Sequence, residues 1–356
     1  MTNSNVTEPP QPTAPSLHEF GRHDSVLRSQ WFVVAQSSDV PPGKPTGRRL
    51  LGSDIVLWRE AATIHAWQDL CIHRGAKLSL GTVRATPQGD CLVCPYHAWQ
   101  YDASGRCVHI PAQPDRTPPL KARANVFHAN ERYGLIWVCP GDPVGPIPEL
   151  PFAGDPGLRV FLCGPYTFEA KGPRLIENFL DVGHLAIVHE GLLGDAAHAA
   201  VPEYEVEPGS PGRSNDAGPV ARNIRIHQPD PDGTGQPAEV VYDYRVHTPL
   251  TASFVKSQAT NQGVNQLFMA YTITPVEEQT SLAWSIFAMN YGFEMPEESL
   301  RAFQNTVAMQ DKAVVESQRP ELLPLDLQEE LHLRSDRMAI AYRTWLKTTG
   351  LRYGIA

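Results

Sequence analysis

The sequence predicts an α+β protein: an all-β N-terminal domain carrying two metal-binding loops, then a domain that combines an antiparallel sheet with helices. Three observations lead there. From Trp31 to about Val138 the apolar runs are short and punctuated by Gly, Pro and Asp, the grammar of strands and turns. Beyond Val160 helical spacing enters, first between Pro173 and His189 and again near the C-terminus. Between Cys71 and His97, two short loops each offer one cysteine and one histidine.

In chain order, Met1 to Ser16 is polar and proline-rich, with neither the apolar stretch of a signal peptide nor a twin-arginine leader, so residues 1–22 are expected to be a disordered tail. Residues 23–145 form the first domain. Its expected strands are Trp31–Ala35, Asp54–Trp58, Thr63–Trp67 and Gly134–Val138, and Trp99–Cys107 reads as two strands joined by a tight turn at Asp102–Gly105. The boundary falls near Gly145, inside the proline-rich run from Pro140 to Pro151.

Residues 146–356 form the second domain, opening with a strand at Val160–Cys163. Pro173–His189 reads as a helix with Ile176, Leu180 and Ile187 on one side; Pro173 suits a first helical position, where a missing N–H costs nothing. Pro208 to about Gln236 is dense in Pro, Gly and Asp. It is expected to be a flexible loop, either bordering a substrate entrance or making a solvated excursion. Strands resume at Val240–Val246, Leu267–Thr274 and Ser281–Met289. In the first of these Val240, Tyr242, Tyr244 and Val246 alternate with Val241, Asp243, Arg245 and His247, giving one apolar face. Helices at Pro296–Ser317 and Leu333–Lys347 close the chain.

With 356 residues there is material for two domains and a sizeable core. A formal charge of −9 and the lack of clustered Lys and Arg argue against a nucleic-acid surface. No stretch approaches the roughly 18 apolar residues of a membrane-spanning helix. Of six cysteines, Cys91, Cys107, Cys139 and Cys163 lie in apolar or strand-like surroundings and read as buried free thiols, which points to the cytoplasm.

Cys71-Ile72-His73 and Cys94-Pro95-Tyr96-His97 suit a [2Fe–2S] cluster with both cysteines on one iron and both histidines on the other. Neutral imidazoles reduce the cluster's negative charge and raise its potential, which makes a one-electron carrier. A Cys2His2 zinc site is the competing reading, but its grammar is a Cys pair followed by a His pair. Accidental packing of the four residues is the other alternative.

The predicted helix at 173–189 carries Asn178, Asp181, His184 and His189. Asp181 and His184, three apart, share a face. His184 and His189, five apart, lie roughly 140° apart on a regular helix, so one metal can take both only if the helix distorts or ends between them. Gly183 eases such a break. On the 296–317 helix Leu300, Phe303, Val307 and Val314 mark an expected buried stripe, and Asp311 falls on it. A buried carboxylate is costly unless paired or bound to a cation, so Asp311 is either salt-bridged to an arginine or the third ligand of a two-His, one-carboxylate triad.

The cluster loops Cys71-Ile72-His73-Arg74-Gly75 and Cys94-Pro95-Tyr96-His97-Ala98-Trp99-Gln100-Tyr101 resemble those of Rieske non-haem iron oxygenases. Ala98 departs from the family's usual glycine; at positive φ its methyl costs strain, but it touches no ligand. Glu177 to His184 with His189, and Asp311-Lys312 with Glu316 to Pro320, resemble the family's mononuclear-iron segments. The similarity spans most of residues 23–350.

This resemblance implies a Rieske [2Fe–2S] domain held by Cys71, His73, Cys94 and His97, and a catalytic domain with mononuclear Fe(II) on His184, His189 and Asp311. Asp181 and Asn178 are the implied catalytic residues, Asp181 bridging a cluster histidine to an iron-ligand histidine across a subunit boundary of a homotrimer. NAD(P)H electrons arrive through a flavin and ferredoxin type reductase. The segment Glu131 to Trp137 and the short catalytic domain resemble members with a single kind of oxygenase subunit. That implies a terminal oxygenase (alpha) subunit that hydroxylates or demethylates a small methyl-bearing aromatic or heterocyclic substrate with O2, in aromatic compound catabolism. Ring dihydroxylation of the phthalate or phenoxybenzoate type is the alternative chemistry. An electron-transfer protein using only the cluster, or a binding protein with a relic iron site, are the alternatives of other classes.

Overall fold

The computed structural model describes residues 24–152, 154–212 and 217–356; the tail expected at residues 1–22 lies outside them. All three sheets are antiparallel throughout. Strands β1 (Phe32–Gln36), β2 (Thr46–Leu50), β3 (Ser53–Glu60), β4 (Thr63–Gln68), β9 (Val126–Arg132) and β10 (Leu135–Cys139) form a six-stranded sheet in the order β1-β10-β9-β4-β3-β2. Strands β5 (Thr82–Thr86), β6 (Gly89–Val93), β7 (Gln100–Tyr101) and β8 (Cys107–His109) form a four-stranded sheet in sequence order. The predicted turn between β7 and β8 is present: Asp102 Oδ1 accepts the N–H groups of Ser104 and Arg106, and Gly105 takes φ +78°, where a Cβ would strike Val126.

The second half is built on a seven-stranded sheet of order β11-β17-β16-β15-β14-β13-β12. Its members are β11 (Arg159–Phe168), β12 (Glu205–Glu207), β13 (Val220–Gln228), β14 (Ala238–Thr248), β15 (Thr251–Thr260), β16 (Gly263–Pro275) and β17 (Ser281–Met289). The alternation expected of β14 is observed, with Val240, Tyr242, Tyr244 and Val246 all buried. Helices are α1 (Ser25–Arg28), α2 (Gly172–Leu180), α3 (Leu185–Val188), α4 (Glu297–Val315) and α5 (Arg337–Thr349). Among the described residues no helix is long and apolar enough to cross a membrane.

Four expectations are corrected. The helix expected over 173–189 stops at Leu180 and resumes only at Leu185, because Asp181 Oδ1 accepts the Gly183 N–H at 2.7 Å and closes a local turn that competes with the helix. Ile187 consequently leaves the buried side and is exposed. The interval 208–236 is not one loop, since β13 runs through it; its inward residues Ile224, Ile226 and Gln228 are hidden among turn-forming neighbours, and a bulge with Asn223 at φ +58° breaks the alternation. On α4 the buried residues are Val307, Ala308 and Val315, whereas Phe303 and Val314 are exposed, so the stripe is rotated from the expected one.

The two halves share one hydrophobic core, in which Phe32, Val34 and Leu57 join Phe161, Tyr271 and Leu346. Backbone stitches cross between them: the Leu51 and Gly52 N–H groups donate to Pro275 and Val276, and Thr274 Oγ1 donates to the Val33 carbonyl at 2.6 Å. Asp24 joins the ends of the described fold, capping α1 through Oδ1 while Oδ2 accepts the N–H groups of Arg352 and Tyr353.

Helix α2 is clamped by buried charge. Glu177 accepts from Arg343 of α5 at 2.5 and 2.8 Å, and Glu330 pairs with both Arg174 and Arg343. Arg343 is 3% exposed at its side chain and Glu177 12%, so removing Arg343 strips a largely buried carboxylate of two hydrogen bonds. Arg343→Ala is expected to cost about 3–5 kcal/mol in urea denaturation; a loss below about 1 kcal/mol would show that water or other carboxylates satisfy the remaining groups.

Candidate metal centres and active-site cavity

The first centre lies at one end of the β-domain. β4 ends at Gln68, and the following loop is stapled at its base by Asp69, which accepts the Ser79 N–H at 2.7 Å and its hydroxyl at 2.5 Å. Cys71 and Cys94 are both 2% exposed, packed among Trp67, Leu78 and Leu92. Burial pushes the Cys94 thiol up, while the N–H groups of Tyr96 and His97 donate toward its sulfur and favour the thiolate. Tyr101 OH lies 3.2 Å from Cys71 Sγ.

The two histidine rings meet with centroids 4.5 Å apart, His73 stacking on Trp99 at 4.5 Å. Nδ1 of His73 is buried with no hydrogen-bond partner, as a nitrogen that ligates iron would be. These residues therefore fit the mixed Cys/His donor set of a [2Fe–2S] cluster. Ala98 sits at φ +54°, the strained position expected from its place in the loop, and its N–H closes the turn onto the Cys94 carbonyl. All six cysteines are unpaired and buried, and burial raises Cys107, Cys139 and Cys163 to about 11, so those three are inert thiols at neutral pH.

The second centre exists because of the break after α2. His184 precedes α3 and His189 follows it, and their rings come within 5.1 Å between centroids. Nε2 of His184 and Nε2 of His189 lie 3.4 and 3.1 Å from one oxygen, Asp311 Oδ1 on α4. The arginine partner considered for Asp311 is not what it meets. Each ring is oriented from behind: Asp181 Oδ2 lies 3.3 Å from His184 Nδ1, and Gln310 Oε1 lies 2.8 Å from His189 Nδ1. Asn178 Nδ2 donates to Asp311 Oδ1 at 3.4 Å. Three donor atoms aimed at one point, with their far sides fixed, can hold a single divalent ion and leave positions open.

Sequence reasoning missed Gln310, whose only signal is its place beside Asp311. Gly183 contributes its N–H rather than a positive φ; a Cβ there would come 3.2 Å from Asp181 Oδ1. Helix α4 is held to β11 by Tyr166, whose hydroxyl donates to Asn305 Oδ1 at 2.7 Å, and by Lys312, which donates to the Thr167 carbonyl at 2.6 Å.

The triad opens onto a cavity of about 370 Å³ between the seven-stranded sheet and helices α2 and α4. Phe161, Phe179, Tyr244, Phe254, Tyr271 and Phe287 form an aromatic part of its lining. Phe179, facing the sheet from α2, stacks on Tyr271 at 5.0 Å and Phe254 at 5.5 Å. Gln228 and Asp230 to Gly233, from the end of the interval expected to be a loop, also line the cavity.

Burial disfavours a charged His184, but hydrogen bonds to Asp181 and Asp311 outweigh it and raise the ring to about 9. For Asp311, burial again opposes the charge, and the two histidines hold it down to about 2. Without metal, a proton on His184 thus occupies the place of a cation. Binding a metal at neutral pH must expel that proton, so Co(II) affinity of the iron-stripped protein is expected to rise about tenfold per pH unit up to about pH 9, by optical titration. An affinity flat from about pH 7 to 9 would mean the ring is already neutral.

Residues 30–126 match the Rieske [2Fe-2S] domain and residues 168–351, more than half of the chain, match the vanillate O-demethylase oxygenase C-terminal domain. Methylxanthine N1-demethylase NdmA of Pseudomonas putida is 32% identical over 90% of this chain and 88% of its own, and methylxanthine N3-demethylase NdmB of the same species 30% over 91% and 90%. The structure of an NdmA mutant with theobromine superposes with a TM-score of 0.75, at 33% identity over 91% of this chain and 90% of that one. Dicamba monooxygenase bound to dicamba gives 0.71, at 26% identity over 91% and 98%. The cofactors are accordingly a [2Fe–2S] cluster and mononuclear iron, supplied with NAD(P)H electrons through a reductase. The chain belongs to the Rieske non-haem iron oxygenases, as the terminal oxygenase component of a monooxygenase with a catalytic domain of the vanillate O-demethylase type.

Proposed function

We propose that this oxygenase inserts one oxygen atom from O2 into a methyl group on a planar aromatic or heteroaromatic ring. The carbon product is a hydroxymethyl group; on a ring nitrogen or oxygen that product collapses to formaldehyde and the demethylated ring. The observation that carries this reading is the cavity, whose flat aromatic walls accept a ring while His184, His189 and Asp311 share the same lining. The relatives named above, two methylxanthine demethylases and dicamba monooxygenase, support the demethylating end of the range.

In this reading Cys71 and Cys94 hold one iron of the cluster, His73 and His97 the other, and His184, His189 and Asp311 the mononuclear iron. When bound, the iron of the triad supplies O2 activation and the cluster supplies single electrons. The chain's own contribution is positional. Asp181 and Gln310 fix the tautomers and tilts of the two ligand rings, Asn178 steadies the Asp311 carboxylate, and the aromatic walls keep water from the methyl group.

Electron delivery is assigned to a homotrimer in which the cluster of one subunit faces the iron of the next. Two exposed rims support it: Ile72, Leu80 and Tyr96 around the cluster, and Leu331 and Leu333, with Leu331 bordering a second cavity lined by Asp181 and His184. Asp181 would then bridge a cluster histidine to His184. The reductase would approach the cluster domain. Six unpaired cysteines suit the reducing cytoplasm.

Two measurements test these assignments. Asp181→Asn is expected to lower turnover about 10–100-fold with the content of both metals unchanged; full turnover would remove the bridging role. His184→Ala should lose the mononuclear iron and keep the cluster's EPR signal. The reaction type is read from products of methoxybenzoates and N-methyl heterocycles supplied with reductase, NAD(P)H and O2. Formaldehyde matching substrate consumed is expected, and a ring diol in its place would overturn the reading.

A further inference from the structure

The cavity has one wall that its aromatic lining does not explain. Lys256, on β15, lines it and is 7% exposed. Its strand face is shared with Phe254, and it pairs across to Tyr242 on one side and Leu267 on the other. One pleat repeat beyond Phe254, roughly 7 Å along the strand, it is displaced from the level of Tyr244 and Ala252–Tyr271, the tyrosines that feel the Asp311 charge.

The ammonium group has three N–H donors. Two are used, one on the Pro231 carbonyl at 2.9 Å and one on Gln228 Oε1 at 3.3 Å. Gln228 is itself fixed, its amide donating to the Leu193 carbonyl at 3.0 Å and to Tyr242 OH at 2.9 Å. Among the described residues no carboxylate lies within 4.0 Å of the Lys256 amine. The nearest acids, Asp230 and Asp232, line the same cavity without an ion pair to Lys256: Asp230 Oδ1 accepts the Gly235 N–H, Asp232 Oδ1 caps Thr234, and Asp232 Oδ2 accepts from Gln258. Burial pulls Lys256 down to about 8 while Asp232 and Asp230 oppose the shift, which leaves it cationic at neutral pH. A buried cation with a spare donor and no direct counter-ion is costly unless a ligand completes it.

We propose that Lys256 is the specificity-determining residue of the cavity and pairs with an anionic oxygen of the substrate, so that the enzyme takes methyl-bearing aromatic acids in preference to their neutral isosteres. The proposal rests on the methyl-oxygenase reading of the same cavity. It fixes which way a ring enters: the acidic oxygen goes to Lys256 and the methyl group to the triad. Gln228 offers no free amide N–H to share the load, so the preference depends on the single ammonium.

The test is calorimetric titration of the anaerobic, unreduced holoenzyme with a set of methoxybenzoates and the matching methoxybenzamides, where no turnover intervenes. The carboxylates are expected to bind at least about tenfold tighter than the amides. Lys256→Met should bring that ratio to about one and Lys256→Arg should retain most of it, the loss appearing in KM for the acids. Equal affinity for acids and amides in the unaltered enzyme, binding of neither, or a ratio that survives Lys256→Met would each overturn the proposal. Failure of the underlying reading shows differently: acids bind through Lys256, yet no oxidised product forms when electrons and O2 are supplied.

Discussion

A 2.7 Å hydrogen bond from the Gly183 N–H to Asp181 Oδ1 decides the geometry of the second metal centre. It ends α2 at Leu180 and lets the chain turn before α3 begins, so His184 and His189 flank a four-residue helix instead of diverging on a long one. On an unbroken helix the two rings would point roughly 140° apart. The same carboxylate spends its other oxygen on His184 Nδ1, so one side chain both breaks the helix and orients the ligand that the break makes available.

That arrangement needs a rigid frame, because a turn of four residues has little stability of its own. The frame is supplied from both ends. Upstream, Glu177 is locked to Arg343 and, through Glu330, to Arg174, fixing α2 against α5. Downstream, α4 brings Gln310 and Asp311 to the histidines while Lys312 ties it to β11. Buried ion pairs add little net stability, since desolvation offsets their attraction, but they tolerate few alternative arrangements. A centre that must present three ligand atoms within a few ångströms benefits from that intolerance.

The cluster was legible in the sequence because its ligands are local pairs: each loop supplies a cysteine and a histidine within four residues, and no distant partner need be found. The mononuclear site was legible only in part. His184, His189 and Asp311 could be named, but helical spacing alone set them apart; the Asp181–Gly183 turn that reconciles them is an interaction between neighbours that periodicity does not weigh. The rotated face of α4 has a similar cause. Phe303 lines the cavity rather than the core, so an apolar residue at helical spacing was read as buried when it borders a space for a ligand. β15 escaped notice because its inward positions carry Lys256 and Gln258, polar residues that an apolar pattern cannot count, and β13 because Ile224 and Ile226 sit among turn-forming neighbours.

Those polar residues mark where local rules and function part. A lysine in the middle of a central strand, facing an aromatic cavity, weakens the sheet's burial and carries a desolvation cost that a leucine would not. Natural sequences accept such conflicts mainly at sites that use them. The triad and Lys256 are two such conflicts in one cavity, three ligand atoms drawn together and a buried ammonium that makes no ion pair with its nearest carboxylates, Asp230 and Asp232. A metal ion completes the first and an acidic ring completes the second. A ring bound by its acidic group at Lys256 is therefore oriented before any chemistry occurs, and the aromatic stack of Phe179, Tyr271 and Phe254 restricts its tilt.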